Sequence, residues 1–217
     1  MRVRALLAIL TVSIAMACTD AEKERLKRTT VPTYDHATGK LTQLTYDANR
    51  DGRVDTWTSM DGARALLSRI DRNEDGKIDR WEYYDDAGVL VKVGFSRKDD
   101  GEADAWAFAG SDGQMQRIEF SSSADETRID RREYYGPKRP DAAGPPVLVR
   151  VEIDADADGR CDRWETYESG SIRTVEYDID GDGKPDRRLT YEGTILVLIE
   201  SNPDGSGRFA TRRSVAR

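Results

Sequence analysis

Acids at fixed spacing are the residues of this chain that could do chemistry. Four stretches, Asp47–Asp55, Asp71–Asp79, Asp154–Asp162 and Asp178–Asp186, share the pattern Asp-x-Asp/Asn-x-Asp-Gly-x-x-Asp. Side-chain oxygens fall at positions 1, 3, 5 and 9: Asp47, Asn49, Asp51 and Asp55; Asp71, Asn73, Asp75 and Asp79; Asp154, Asp156, Asp158 and Asp162; Asp178, Asp180, Asp182 and Asp186. The carbonyl at position 7, from Arg53, Lys77, Arg160 or Lys184, adds another oxygen, and glycine at position 6 permits the sharp turn. Several hard oxygens around such a turn are what Ca2+ prefers, with water completing the shell. One Asp-Gly stretch would make an equally good solvated turn. A plain turn has no need of acids at four places at once, so the repetition points to bound calcium.

Two of the stretches also carry a glutamate at position 12, Glu82 and Glu165. The pattern resembles EF-hand loops, in which that glutamate is a bidentate ligand. Only 13 residues separate Glu82 from the next loop near Ser96, and they hold a Gly turn and β-branched alternation, which leaves no room for flanking helices. On a strand, positions 9 and 12 face opposite sides about 10 Å apart, which argues against Glu82 and Glu165 as ligands. Calcium loops between strands resemble those of integrin-type and other β-repeat proteins, a likeness that implies ligands from positions 1, 3, 5, 7 and 9.

The elements that position these loops follow from an internal repeat. The second loop starts 24 positions after the first, and the fourth 24 after the third. Between the pairs lie degraded copies, Asp100-Gly101 to Trp106 and Ser122 to Glu133, and a last remnant runs Asn202 to Gly205. All four tryptophans, Trp57, Trp81, Trp106 and Trp164, take the eleventh position of a repeat. Before each loop apolar residues alternate with polar ones, as in Val91, Val93 and Phe95 or Val149, Val151 and Ile153. That period makes half-buried strands. The expected fold is all-β, an antiparallel meander of β-hairpins with about 12–14 strands, either an open twisted sheet or a closed barrel. Every metal loop should lie on one rim and every Gly turn on the other. Tyr34-Asp35 with Gly39, and Tyr84-Asp85 with Gly88, resemble the YD repeats of bacterial surface proteins.

The chain divides into a leader at 1–17, a tether at 18–30 and the repeat domain at 31–212, interrupted by a Pro/Gly-rich surface loop at 136–146. Arg2 and Arg4 precede a short apolar run that ends at Cys18, the signature of an export signal rather than a membrane span. Ala15-Met16-Ala17-Cys18 resembles the lipobox of bacterial lipoproteins, which implies lipidation of Cys18 and membrane attachment through it. The same Ala-x-Ala also suits an ordinary signal peptidase. Thr19 after the cysteine, in the Gram-negative sorting pattern this resembles, favours the outer membrane, and the expected location is the cell envelope.

A formal net charge of −7 disfavours nucleic acid as a partner. No enzyme is expected. The single histidine, His36, sits in a turn with no serine or cysteine motif, and Cys161 takes a loop position filled by Val54 and Ile78 elsewhere, as a small hydrophobe would. The reading is a surface or periplasmic binding or scaffold module with structural calcium and an unidentified protein or glycan partner. The alternatives are a carboxylate-based hydrolase, or a carbohydrate-binding module that uses the aromatic stripe.

Overall fold

The computed structural model describes residues 29–136, 146–201 and 209–215. Cys18, the leader, most of the Pro/Gly-rich loop and the remnant at 202–205 lie outside the described residues.

Fifteen strands form one antiparallel sheet in strict chain order. They are β1 (Thr30–Tyr34), β2 (Leu41–Tyr46), β3 (Thr56–Asp61), β4 (Arg64–Ile70) and β5 (Arg80–Tyr84). The central five are β6 (Leu90–Phe95), β7 (Ala105–Ala109), β8 (Met115–Phe120), β9 (Arg131–Gly136) and β10 (Val147–Ile153). The last five are β11 (Arg163–Glu168), β12 (Ser171–Tyr177), β13 (Arg187–Glu192), β14 (Ile195–Ser201) and β15 (Thr211–Ser214). β1 and β15 are the two edges, so the sheet is open and not a barrel. The degraded copies build complete hairpins of their own, which brings the count to fifteen.

The six loops 47–55, 71–79, 96–104, 121–130, 154–162 and 178–186 each join an even-numbered strand to the next. They share one rim, while Gly39, Gly62, Gly88, Gly113, Gly170 and Gly193, all at positive φ, mark turns on the other. Neighbouring strands lie about 4.8 Å apart, so successive loops, two strands on, are spaced about 10 Å along the rim.

All substantial strand contacts are between sequence neighbours, so the sheet is a single layer. Among the described residues the buried apolar side chains are only Ala105, Trp106, Ile129, Val151 and Val175. With so small a core, the sheet depends on its hydrogen-bonded ladders and on cross-strand pairs worth about 0.2–1 kcal/mol each. Residues paired across an antiparallel ladder share a face, which sorts the side chains into rows. One row runs Thr45, Trp57, Arg69, Trp81, Gly94, Trp106 and Glu119. It continues as Arg132, Glu152, Trp164, Glu176, Arg188, Glu200 and Arg212. Gly94 lies between two tryptophans, where a Cβ would stand 3.4 Å from both Trp81 and Trp106. Further along, the row becomes a charge ladder, with Arg188 2.5 Å from Glu176 and Arg212 2.9 Å from Glu200.

The opposite face carries a triad in three strands: Arg80, Glu82 and Tyr84; Arg131, Glu133 and Tyr135; Arg163, Glu165 and Tyr167. Each glutamate pairs with the arginine two residues before it. It also accepts the hydroxyl of the tyrosine two residues after it, at 2.8, 2.6 and 2.6 Å. Partial burial and that hydrogen bond push the Tyr135 and Tyr167 hydroxyls up to about 12.

Candidate metal loops

The four acidic loops share one backbone. Position 4 has positive φ in each, at Arg50 (68°), Glu74 (60°), Ala157 (61°) and Gly181 (76°). Position 6 does too, at Gly52 (94°), Gly76 (90°), Gly159 (92°) and Gly183 (86°). Non-Gly residues pay a steric penalty in that region, so something must hold the loops curled. The acids themselves contribute. At position 1 the carboxylate accepts the amide of position 6: Gly52 to Asp47 at 3.0 Å, Gly76 to Asp71 at 2.9 Å, Gly159 to Asp154 at 2.9 Å and Gly183 to Asp178 at 2.6 Å. Position 3 accepts the amide of position 5, as Asn49, Asn73, Asp156 and Asp180 do at 2.9–3.2 Å. At position 5, Asp51, Asp75, Asp158 and Asp182 accept the amide of position 7 at 2.8–2.9 Å. Position 9 accepts the amide of position 2: Ala48 to Asp55 at 2.6 Å, Arg72 to Asp79 at 2.6 Å, Ala155 to Asp162 at 2.5 Å and Ile179 to Asp186 at 2.8 Å.

These bonds draw the carboxylates together. Ligand oxygens of Asp154, Asp156 and Asp162 all lie within 4.8 Å of one another, and so do those of Asp178, Asp180 and Asp186. Carboxylates at that separation can offer a metal ion three oxygens. The first two loops have an asparagine amide oxygen at position 3 in place of a carboxylate.

A second sign of a missing partner lies in the second loop. Asp71 is only 5 % exposed, and its Oδ1 is buried with no hydrogen-bond partner. Because its Oδ2 is tied to the Gly76 amide, the carboxylate sits inside the loop and the bare oxygen belongs to that interior. A buried carboxylate oxygen without a partner is expensive, and a cation in the loop would satisfy it.

The loops are also linked along the rim. In the later three the amide of position 1 donates to the closing aspartate's carbonyl in the preceding loop: Asp71 to Asp55 at 2.8 Å, Asp154 to Asp130 at 2.9 Å and Asp178 to Asp162 at 2.9 Å. Position 7 side chains reach outward, Lys77 Nζ to Asp99 O at 2.7 Å and Arg160 Nη1 to Gly181 O at 2.5 Å. Glu74 accepts the Asn49 amide. Its hydrogen bond to Asp51 raises its pKa, while the Arg53 amide holds Asp51 below the usual carboxylate range.

Glu82 and Glu165 stand in the triads of the strands and not in the loops. Glu133 makes the same contacts after a loop that lacks the acidic pattern. Position 12 is therefore a sheet residue here.

The degraded copies exchange the chemistry, which spacing alone did not reveal, and of the two the copy at 96–104 keeps both left-handed positions, at Asp99 and Gly101. Ser96 and Ser121 stand at position 1, where their hydroxyls accept the amides of Asp100 and Asp125, each at 3.2 Å. Asp104 and Asp130 close the two loops as position 9 does elsewhere. In the third loop the Arg97 guanidinium pairs with the buried Asp104 at 3.1 Å and covers the Phe120 ring at 4.9 Å.

Trp106 is 3 % exposed and has no face to offer a sugar. The Cys161 thiol donates to the Ile153 and Arg163 carbonyls, and burial raises its pKa, so it is not a thiolate.

A family model described as EF hand matches residues 63–84. That span covers β4, the second loop and β5, so the likeness is to the loop, with strands in place of helices. No curated protein matches the chain. Among solved structures, one of accessory secretory protein 1, 2 and 3 from Streptococcus pneumoniae is 15 % identical at TM-score 0.36, covering 49 % of this chain and 19 % of that one. A GtfA/B complex is 15 % identical at TM-score 0.26, covering 74 % and 20 %. The chain thus carries an EF-hand-like loop and acidic groups able to hold a metal ion, on an all-β repeat sheet.

Proposed function

We propose that this protein is a calcium-stapled scaffold of the bacterial cell envelope, exported and lipid-anchored through Cys18, with no catalytic role of its own. The observation that carries the metal reading is the bare, buried Asp71 Oδ1 inside a loop whose other acids are already oriented by its amides. Oxygen-only donors with no imidazole or thiolate favour Ca2+ over transition metals. A single-layer sheet with a small core gains most from ions that close its rim, because anything that binds only the folded state stabilises it by mass action. The broad sheet faces, with their charge ladder and exposed apolar residues such as Val91, Val149 and Ile195, are where a protein or glycan partner would dock. Anchoring and export rest on the lipobox-like segment ending at Cys18.

Terbium titration of the metal-free chain tests the metal reading, since Trp57, Trp81 and Trp164 each stand two residues beyond a position 9 acid and should sensitise bound terbium. Saturable emission that calcium displaces, with a rise in melting temperature, is the expected outcome. Absence of both would reduce the loops to acidic turns.

A further inference from the structure

The first two loops are one carboxylate short of the last two, since Asn49 and Asn73 stand where Asp156 and Asp180 do. The structure supplies the missing charge from next door. Asn73 Nδ2 donates to both carboxylate oxygens of Asp99, at 3.1 and 3.2 Å, and Asn49 Nδ2 donates to Glu74. Asp99 and Glu74 both hold position 4 of the following loop, and both have positive φ, 57° and 60°. Where position 3 is already an aspartate, at Asp156, the same place in the next loop is Gly181, which has no side chain to offer. Counting across the loop boundary, each of the three loops that has a repeat-type successor has four carboxylates around it.

Resting on the cation reading above, we infer that Asp99 belongs to the cation site of the second loop as a positioning residue. The Asn73 amide is fixed from both ends. Its Oδ1 accepts the Asp75 amide at 3.0 Å, and its Nδ2 is taken by Asp99, so the oxygen faces the loop and the nitrogen faces away. Carboxylates behind a ligand orient it and raise its donor strength, and Asp99 also restores the negative charge that the amide lacks. Lys77 Nζ, bound to the Asp99 carbonyl at 2.7 Å, holds the two loops in register. This gives the third loop a reason to keep its curl after losing the acids of positions 1 and 3 to Ser96 and Lys98: it completes the second site. The buried, unpartnered Asp71 Oδ1 places a cation requirement in that same second loop.

The test uses the full chain with Trp57→Phe and Trp164→Phe, so that Trp81 reports terbium in the second loop. Asp99→Asn keeps the left-handed backbone, which asparagine tolerates, and removes only the charge. Terbium affinity at the second loop should fall about tenfold, with the metal-free melting temperature unchanged. Adding Asn73→Asp moves the fourth carboxylate into the loop and should restore affinity to within about threefold of the parent. In a chain keeping Trp164 alone of the three reporters, Asp99→Asn should leave the emission curve as it was. An affinity unaltered by Asp99→Asn, or a double variant no tighter than the single, would overturn the assignment of Asp99 while leaving the loops as cation sites. Absence of saturable emission from the parent would remove the sites themselves, and the assignment with them.

Discussion

The second and third loops follow one backbone path and satisfy it by different means. Residues 71–79 and 96–104 have nearly the same left-handed pair, Glu74 and Gly76 against Asp99 and Gly101, at 60° and 90° against 57° and 88°. Each is closed by an aspartate that accepts the position 2 amide. The second loop crowds Asp71, Asn73, Asp75 and Asp79 around its turn and leaves a buried oxygen bare. The third has Ser96 at position 1 and Lys98 at position 3, and brings its own cation, Arg97, onto Asp104 Oδ1, while Asp104 Oδ2 is buried without a partner just as Asp71 Oδ1 is. Lys98 Nζ meanwhile bonds the Ser122 carbonyl of the next loop at 2.9 Å. A loop that folds around negative charge can be neutralised by a free ion or by a tethered one. The difference is that the free ion makes stability depend on its concentration. On the proposed reading the outer loop pairs respond to ion concentration, while Arg97 ties the third loop to Asp104 without one.

Chelation should separate the two kinds of loop most strongly. Each occupied site contributes about 2.7 kcal/mol at a free ion concentration a hundred times its Kd. Stripping calcium should therefore open residues 47–79 and 154–186 to amide hydrogen exchange while 96–130 stays protected. Uniform loss of protection would mean that Arg97 does not close the centre on its own.

A somewhat smaller effect concerns the strand glutamates. Glu165, 5 % exposed, follows an acidic loop and Glu133 follows one without the pattern, yet both sit between an arginine and a tyrosine. Glu165→Gln and Glu133→Gln should each destabilise by about 1–3 kcal/mol, the range for breaking a buried hydrogen-bonded group. The number of bound ions, counted by calorimetric titration, should not change. Loss of an ion in Glu165→Gln alone would return position 12 to the ligand set.

The comparison can also be reversed. Ser96→Asp, Arg97→Ala and Lys98→Asp together give the third loop the outer-loop chemistry on a backbone that already has the curl. The triple variant should bind one more ion than the parent, with a gain of about 1 kcal/mol at calcium a few times the new Kd. If the ion count stays that of the parent, the curl alone does not make a site.

Much of this was legible in the residues because two periods coincide in them. Alternation in segments such as Val91, Val93 and Phe95 marked strands, and the spacing of Asp-Gly pairs marked loops, so the meander and the single loop-bearing rim followed. The thirteen residues after Glu82 excluded helices, and β5 and β6 occupy that stretch. The triad role of Glu82 was not legible. Sequence showed that Glu82 lies across the strand from Asp79, but its partners Arg80 and Tyr84 matter only once i and i+2 neighbours share a face. The pairing of Arg97 with Asp104 was not legible either, because it depends on the folded turn.

Sequence by itself determined the strand period, the loop positions and the spacing of the acids within them, because these are local properties set by side-chain type and spacing along one chain segment. Tertiary structure alone decided that the sheet stays open, that Asp71 buries an oxygen without a partner, and that Glu74 and Asp99 face the preceding loop. These depend on residues about two dozen positions apart being brought side by side by strand register, and register is fixed by the summed pairing of whole strands rather than by any short motif.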